Sequence, residues 1–269
     1  MQPGESPLPL EIVETGEDLC YRIALAMYLE VERNNDAGAE TVLILPVGPV
    51  YQYRRFVWLC AERPIDLSRL HCFFMDEYLE EDGRLLDPGN PLSFRGFVRR
   101  ELVEPIPAAA GLRPVQVLFP DPKDPGGYDR RLAELGGAGI CFVGVGINGH
   151  LAFNEPPREG EPVSTEAFRS LGTRVVSLSR ETITINSNTA LGGAYDRVPA
   201  QAVSIGMRQI LASRQVVVCL NRPWQRAVVR RLLYGPVSSA FPASMLRDHP
   251  NARLILTREV AAPPQFQLG

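Results

Sequence analysis

The sequence predicts an α/β protein with an open, mostly parallel, Rossmann-like sheet in three layers, with helices on both faces. Short apolar runs rich in β-branched residues alternate along the chain with longer amphipathic stretches. Several of these runs are apolar at every position, which is typical of parallel strands that helices cover on both faces. Glycine and proline are scattered as turn residues and no segment repeats, so residues 1–269 are expected to form one domain.

The apolar runs predict the strands, and the amphipathic stretches predict the helices. Strands are expected over residues 41–47, 70–75, 115–119, 139–145, 174–178, 202–205, 215–220 and 253–256. Helices are expected over residues 18–34, 50–62, 93–101, 127–135, 222–233 and 242–247. Because ligands bind to open parallel sheets at the carboxyl ends of the strands, a site is expected in the segments that directly follow these runs.

Composition disfavours several classes of protein. The formal net charge of −3 does not suit non-specific binding to nucleic acid. No apolar run reaches the roughly 18 residues that a membrane span needs. The acidic, proline-rich start of the chain lacks the pattern of a secretory signal peptide. We therefore expect a cytoplasmic protein that binds neither nucleic acid nor membranes.

Cysteine, lysine and metal chemistry are not expected either. The five cysteines lie far apart, mostly in apolar runs, which is typical of buried thiols in a reducing compartment. Lys123 is the only lysine and lies in a loop-like context, which disfavours an imine mechanism. His71 falls within a predicted strand and His249 in a turn, and no spacing of Cys, His and Asp indicates a metal site.

A glycine-rich turn, GVGINGH, follows the predicted strand at residues 139–145. Gly144, Gly146 and Gly149 allow backbone conformations, and a close approach to a ligand, that larger residues resist. The turn fits a loose G-x-G-x-x-G spacing, but the prolines at 156–157 would end any helix within two turns. A dinucleotide site is therefore not expected.

His150 ends this turn and is the strongest candidate for proton transfer. An imidazole moves a proton near neutral pH, and Glu155 lies close enough in sequence to orient it or to share the proton. The alternative is a structural histidine held by backbone groups, with Glu155 as a solvated charge. The surrounding glycines and Asn148 favour a catalytic interpretation of Asn148, His150 and Glu155.

Asp76 follows directly on the apolar run LHCFFM. A carboxylate there lies between the core and a cleft, where partial loss of water raises its pKa and makes it a useful base. Taken alone, an aspartate in this position more often caps the next turn. Asp76 and the His150–Glu155 pair together supply the two proton-handling units that a sugar isomerisation needs. One unit opens the ring, and the other moves a proton between C2 and C1.

Four segments, FFMDEY, GVGINGHLAFNEP, TRVVSLS and GPVSSAFPASMLRDHP, resemble the glucosamine-6-phosphate deaminase family, and GHLAFNEP is highly specific to it. The resemblance implies that Asp76 accepts the proton at C2 and that His150 with Glu155 serves ring opening, without a metal or an organic cofactor. It implies a small-molecule substrate, an amino sugar or sugar phosphate, and allows a homo-oligomer, because members of the family tend to assemble. The substrate-binding candidates are Gly48, Glu77, Gly146, Gly149 and Arg174.

The chain departs from the family where the phosphate of the substrate would bind. The family has a hydroxyl-bearing, glycine-rich loop after the first strand, whereas residues 45–50 read LPVGPV. This loop offers no hydroxyl, and Pro49 lacks a backbone N–H. A family arginine falls on Asn188 and a family lysine on Gln225. Asn148 stands where many members carry an aspartate; it can form hydrogen bonds but supplies no charge.

Three arginines, Arg54, Arg55 and Arg226, are candidates to replace the missing contacts, since guanidinium groups bind phosphate in a bidentate fork. Helix arginines more often carry a solvated charge, however. Because the proton-transfer groups are retained while the phosphate contacts are reduced, the sequence favours a substrate whose distal end is not a phosphate. A lactonase-like hydrolase and a non-catalytic sugar-binding regulator on the same fold remain open as alternatives.

Overall fold

The computed structural model describes residues 6–49 and 51–264, within which ten strands and nine α-helices are found. The strands are β1 Leu10–Val13, β2 Thr41–Leu45, β3 Leu70–Phe74, β4 Asp76–Tyr78, β5 Val117–Leu118, β6 Ile140–Val143, β7 Arg174–Ser177, β8 Gln201–Ser204, β9 Gln215–Leu220 and β10 Ala252–Thr257. The helices are α1 Gly16–Asp36, α2 Gln52–Glu62, α3 Phe94–Val98, α4 Pro125–Glu134, α5 Thr165–Arg169, α6 Arg180–Ala190, α7 Met207–Leu211, α8 Gln225–Tyr234 and α9 Arg258–Ala261.

The large sheet is parallel throughout, in the order β1-β10-β9-β6-β2-β3-β5. Side chains alternate between its faces, and each face has its own core. On β2, Val42 and Ile44 belong to the core that α4, α7 and α8 cover, whereas Leu43 and Leu45 belong to the core under α1 and α2. This arrangement confirms the predicted fold class. The expectation of a single domain stays a prediction.

A second, antiparallel sheet in the order β4-β8-β7 was not predicted. The expected strands at 174–178 and 202–205 exist, but they belong to this small sheet. β4 follows β3 after one residue, Met75, and pairs with β8 so that Asp76 lies opposite Ser204. The small sheet therefore extends from the carboxyl end of β3, and its first strand, β4, carries Asp76.

Several predicted elements differ at their ends. The expected helix at 93–101 stops at Val98 and continues as a π-helical turn, Arg99–Val103. The segment at 242–247 is a 3₁₀ helix, Pro242–Asp248, and the strand at 115–119 shortens because Pro114–Gln116 form a 3₁₀ turn. The helix expected from Val50 begins at Gln52. Val50 and residues 1–5, part of the segment judged to lack a signal peptide, lie outside the described residues.

None of the helices in the described part of the chain is both long and apolar enough to cross a membrane.

Candidate active site

The carboxyl ends of β2, β3, β6 and β9 meet at one edge of the large sheet and border a cleft of about 400 Å³. Residues 46–49 line the cleft after β2, Asp76 after β3, His150 after β6 and residues 221–222 after β9. The two segments that the sequence marks as chemical are thus brought together. Gly48 and Gly146 also line this cleft.

Asp76 is buried, with 8% of its surface exposed, and it lines the cleft. No described residue donates a hydrogen bond to its carboxylate. Burial, followed by the charge of Glu77, raises the pKa of Asp76 to about 8. A carboxylate with few partners and little water is a stronger base than a solvated one. Asp76 is therefore suited to removing a proton from a substrate bound in the cleft.

His150 is held through one ring nitrogen. Its Nδ1 lies 2.8 Å from Asn148 Oδ1, 3.1 Å from Thr182 Oγ1 and 3.5 Å from Glu155 Oε2. The Asn148 Nδ2 group donates to Glu155 Oε2 (2.6 Å) and to Ser179 Oγ (3.1 Å), so the amide oxygen is the group that faces His150. Because that oxygen and the carboxylate only accept hydrogen bonds, Nδ1 carries the proton. Nε2 is then the nitrogen that can accept a proton from a ligand.

Glu155 supplies the charge that Asn148 cannot. Burial alone would raise the pKa of Glu155, but the hydrogen bond and positive charge of His150, together with Asn148 and Thr182, lower it to about 2. Its other oxygen, Oε1, accepts a hydrogen bond of 3.1 Å from the Ser179 N–H. The result is a permanently ionised carboxylate 3.5 Å from the imidazole. It stabilises the protonated form of His150 when that residue acts.

The glycines of the turn are required by close packing. A Cβ atom at Gly146 would overlap the His150 ring, and one at Gly149 would overlap the ring of Phe241. Gly149 also has φ +89°, a conformation that favours glycine, and Ala152 in the same turn has φ 50°. Gly149 shapes the turn and does not line the cleft, and its assignment to substrate binding stays a prediction.

Two more of the predicted substrate-binding residues lie outside the cleft. Alternate side chains of a strand point to opposite faces, so β4 directs Asp76 towards the cleft and Glu77 away from it. Arg174 is on β7, at the edge of the small sheet, where it donates to Asn154 Oδ1 (2.8 Å). Arg174 borders a different cavity of about 790 Å³. The structure therefore does not bring Glu77 and Arg174 to the cleft with Asp76 and His150, and their assignment to substrate binding stays a prediction.

Three polar residues of the site, Ser179, Thr182 and Arg222, were not predicted from the sequence. Ser179 caps α6 by accepting a hydrogen bond from the Thr182 N–H, and this cap places both hydroxyls beside the His150–Glu155 pair. A serine before a helix is a recognisable cap, but α6 itself was not predicted. Arg222 was assigned to a helix. Pro223 was the available sign that the helix begins later.

Within residues 6–49 and 51–264, no group of three or more His, Cys, Asp or Glu side chains is arranged to hold a metal ion.

A parallel α/β sheet whose strand ends hold a desolvated carboxylate and a histidine–carboxylate pair belongs to the class of acid–base enzymes that act on small molecules. More particularly, the chain belongs to the glucosamine-6-phosphate deaminase family. The deaminase of Lachnoclostridium phytofermentans is 30% identical over 219 residues, which cover 80% of this chain and 86% of that protein. The deaminase of Rhodopirellula baltica is 30% identical over 263 residues, which cover 96% and 97%. No protein-family model matches the chain.

Solved structures share the fold. One, described as a monomeric glucosamine-6-phosphate deaminase, has a TM-score of 0.78 at 24% identity and covers 94% of this chain and 98% of its own. The 6-phosphogluconolactonase of Trypanosoma cruzi has a TM-score of 0.67 at 15% identity, with 94% and 95% covered. At these identities the likeness shows the common fold, while the sequence similarity places the chain with the deaminases.

Proposed function

We propose that the protein is an amino-sugar deaminase/isomerase that converts glucosamine 6-phosphate, or a related amino sugar, and water into the ketose and ammonia. The observation that carries the proposal is the Asp76 carboxylate, which is buried beside the cleft and accepts no hydrogen bond from a described residue. The same cleft contains His150, whose Nε2 is free to accept a proton. The family to which the chain belongs supports the same reaction.

The two units divide the proton transfers. His150 Nε2 takes the proton from the O1 hydroxyl and delivers it to the ring oxygen, which opens the ring to the aldehyde; Glu155 stabilises the imidazolium in between. Asp76 then removes the proton from C2 while the aldehyde oxygen takes up a proton from water, which gives the enolamine. Asp76 returns its proton to C1, and the enolamine becomes a protonated imine at C2. Water adds to that imine and ammonia leaves, which yields the ketose.

Ammonia release from a panel of amino sugars tests the proposal. The wild-type protein is expected to release ammonia and form the ketose, with kcat/KM rising as the pH approaches 8 because Asp76 acts only when deprotonated. Asp76→Asn should lower kcat by about 10²–10⁴-fold while the sugar still binds. Binding without any turnover would instead indicate a sugar-binding regulator, and hydrolysis of a sugar lactone without ammonia would indicate the lactonase.

Among the described residues that line the cleft, one carries a guanidinium group that could meet the distal end of the substrate. Arg54 pairs with Glu101 and Arg226 with Glu259, so neither is available in the cleft. Arg55 likewise pairs with Glu17 outside it. The cleft is lined instead by Arg222, which is exposed and forms no ion pair with a described residue. This cation favours an anionic distal group, such as a phosphate, over the uncharged group that the altered loop alone suggests.

Comparing glucosamine 6-phosphate with unphosphorylated glucosamine tests this point. We expect the wild-type protein to prefer the phosphate ester and Arg222→Ala to raise KM for that ester by about 10–100-fold, the usual cost of one charge-assisted hydrogen bond. Arg226→Ala is the matched control, since Arg226 follows four residues later and pairs with Glu259. Equal turnover of both sugars by the wild-type protein would restore the idea of an unphosphorylated substrate.

A further inference from the structure

Glu77 is a buried carboxylate that neither the sequence nor the proposed reaction explains. It has no exposed surface, and it lies next to Asp76 on β4 but points to the opposite face. All of its hydrogen-bond partners are donors. Oε1 accepts from the Tyr78 and Phe94 N–H groups (2.9 and 3.0 Å), and Oε2 accepts from the Arg95 N–H and the Ser93 hydroxyl (2.8 and 2.9 Å). Burial raises the pKa of Glu77 above its ordinary value, and these four donors oppose that shift because they favour the ionised form of the carboxylate.

Three of these four donors belong to one segment, residues 91–97, which we call the cleft wall. Five of its residues line the same cleft as the glycine-rich turn: Pro91, Leu92, Ser93, Phe94 and Phe97. Ser93 also caps α3 by accepting from the Gly96 N–H (3.1 Å). Glu77 therefore binds the cleft wall at the point where α3 begins, where exposed N–H groups attract a negative charge.

The cleft wall packs on the strand through aromatic rings as well. The Phe94 ring lies 4.9 Å from the ring of Tyr78 and 6.4 Å from that of Phe153. These ring contacts hold the wall close to the strand through apolar packing. Three of the four hydrogen bonds of Glu77 also join the wall to β4, since the fourth donor, Tyr78, lies on β4 itself. Within the described residues, these three bonds and the Arg95–Glu77 ion pair are the polar contacts between the wall and β4.

The charge of Glu77 also acts on Asp76. The other titratable groups around Asp76 are His150 in the cleft and three tyrosines, Tyr53 on α2, Tyr78 on β4 and Tyr128 on α4. Burial raises the pKa of each tyrosine, so they stay neutral at the pH of catalysis. The cation nearest to Glu77 is Arg95, whose Nε lies 3.6 Å away and offsets part of its charge.

We propose that Glu77 is a positioning residue that fixes the cleft wall against β4 and places a buried carboxylate at the strand position next to Asp76. The second half of this proposal rests on the proposed function, in which Asp76 is the base. The first half rests on the hydrogen bonds alone. One carboxylate thus links the shape of the cleft to the basicity of the group that acts inside it.

Two variants separate the two effects. Glu77→Gln removes the charge and keeps most of the side-chain length, whereas Glu77→Asp keeps the charge and shortens the reach to the cleft wall. The matched control is Asp129→Asn. Asp129 is likewise a shielded carboxylate that binds a distant segment, through the Thr173 N–H (3.2 Å) and Arg208 (3.1 Å), but it does not line the cleft.

The titration of Asp76, followed by carboxyl ¹³C NMR and assigned with Asp76→Asn, measures the effect of the charge. Glu77→Gln should lower the midpoint by about one pH unit or more, while Glu77→Asp and Asp129→Asn leave it near the wild-type value. An unchanged midpoint in Glu77→Gln would overturn this half of the proposal. The measurement needs no turnover, so it stands apart from any failure of the proposed reaction.

Amide hydrogen exchange at Phe94 and Arg95, which donate to Glu77, measures the hold on the cleft wall. Both Glu77 variants should exchange these amides at least about tenfold faster than the wild-type protein. In Glu77→Asp, which keeps the charge, KM for the amino sugar should rise while kcat changes less. Asp129→Asn should leave both amides protected. If the Phe94 and Arg95 amides of Glu77→Asp exchange as slowly as those of the wild-type protein, the positioning role is wrong. Because Glu77→Asp keeps a carboxylate, it serves as the test if Glu77→Gln does not fold.

Discussion

Asp76 and Glu155 are two buried carboxylates of one site whose pKa values move in opposite directions. Asp76 is buried, accepts no hydrogen bond from a described residue and has the charge of Glu77 beside it, so the pKa of Asp76 rises to about 8. Glu155 is bound by His150, Asn148 and Thr182, and its pKa falls to about 2 in spite of burial. At neutral pH the first is ready to exchange a proton, and the second holds a constant charge. Opposed environments of this kind assign the roles of base and electrostatic partner.

The same opposition predicts how stability depends on pH. Folded Asp76 keeps its proton up to about pH 8, whereas in the unfolded chain it loses it near pH 4, so the wild-type protein loses stability as the pH rises between these values. Asp76→Asn should therefore raise the free energy of unfolding at pH 7 by up to about 4 kcal/mol and change it little at pH 4. Urea denaturation from pH 4 to 9 measures this.

Glu155→Gln is the control, with the opposite sign. The lowered pKa of Glu155 stabilises the fold above about pH 4.5, and this stabilisation is lost as the pH falls towards 2. The substitution should therefore destabilise the protein at pH 7. An Asp76→Asn variant that is less stable than the wild type at pH 7 would show that burial of the Asp76 carboxylate does not lower the free energy of unfolding at that pH.

At the scale of elements, the turn between β6 and α5 is built around the imidazole. The Gly146 N–H donates to the His150 carbonyl oxygen (3.0 Å), which folds the turn back on itself. The ring of His150 then lies against the Gly146 backbone with no room for a side chain. α6 completes the site from the other side through its cap at Ser179. Two elements distant in sequence therefore determine where Nδ1 points.

Gly146→Ala should displace the His150 ring, because the new methyl group would occupy its space. We expect kcat to fall by at least about 100-fold, since misplaced catalytic groups cost this much. Unfolding in urea should show the fold retained. Gly126→Ala on α4 is the control: its Cβ would come close to the movable end of the Arg130 side chain and make an ordinary contact with Asp124, so activity should not change. Full activity in Gly146→Ala would mean that ring placement does not limit the reaction.

At the scale of the whole molecule, the parallel sheet was predictable because its strands are apolar on both faces. The runs at 41–47 and 139–145 are apolar at nearly every position, which indicates parallel strands covered on both faces. The small sheet was not predictable, since pairing between β4 and β8 joins residues more than a hundred positions apart. Asp76 and His150 were found because each directly follows a strong strand signal. Their neighbours Thr182 and Arg222 depend on how α6 and the β9–α8 connection approach the cleft, which no local pattern records.

The buried side-chain amide of Gln225 holds the connection between β9 and α8 in place. Its Oε1 accepts from the Asn221 and Arg222 N–H groups (3.1 and 2.9 Å), and its Nε2 donates to the Val145 carbonyl oxygen (2.9 Å). A lysine at this position, as the resemblance to the family implies for its other members, would have no acceptor for the two N–H groups. Gln225→Lys would thus disturb the connection that carries Arg222. A cation at position 225 therefore requires a different conformation of residues 221–222, and the two arrangements are interchanged only by changing several residues together.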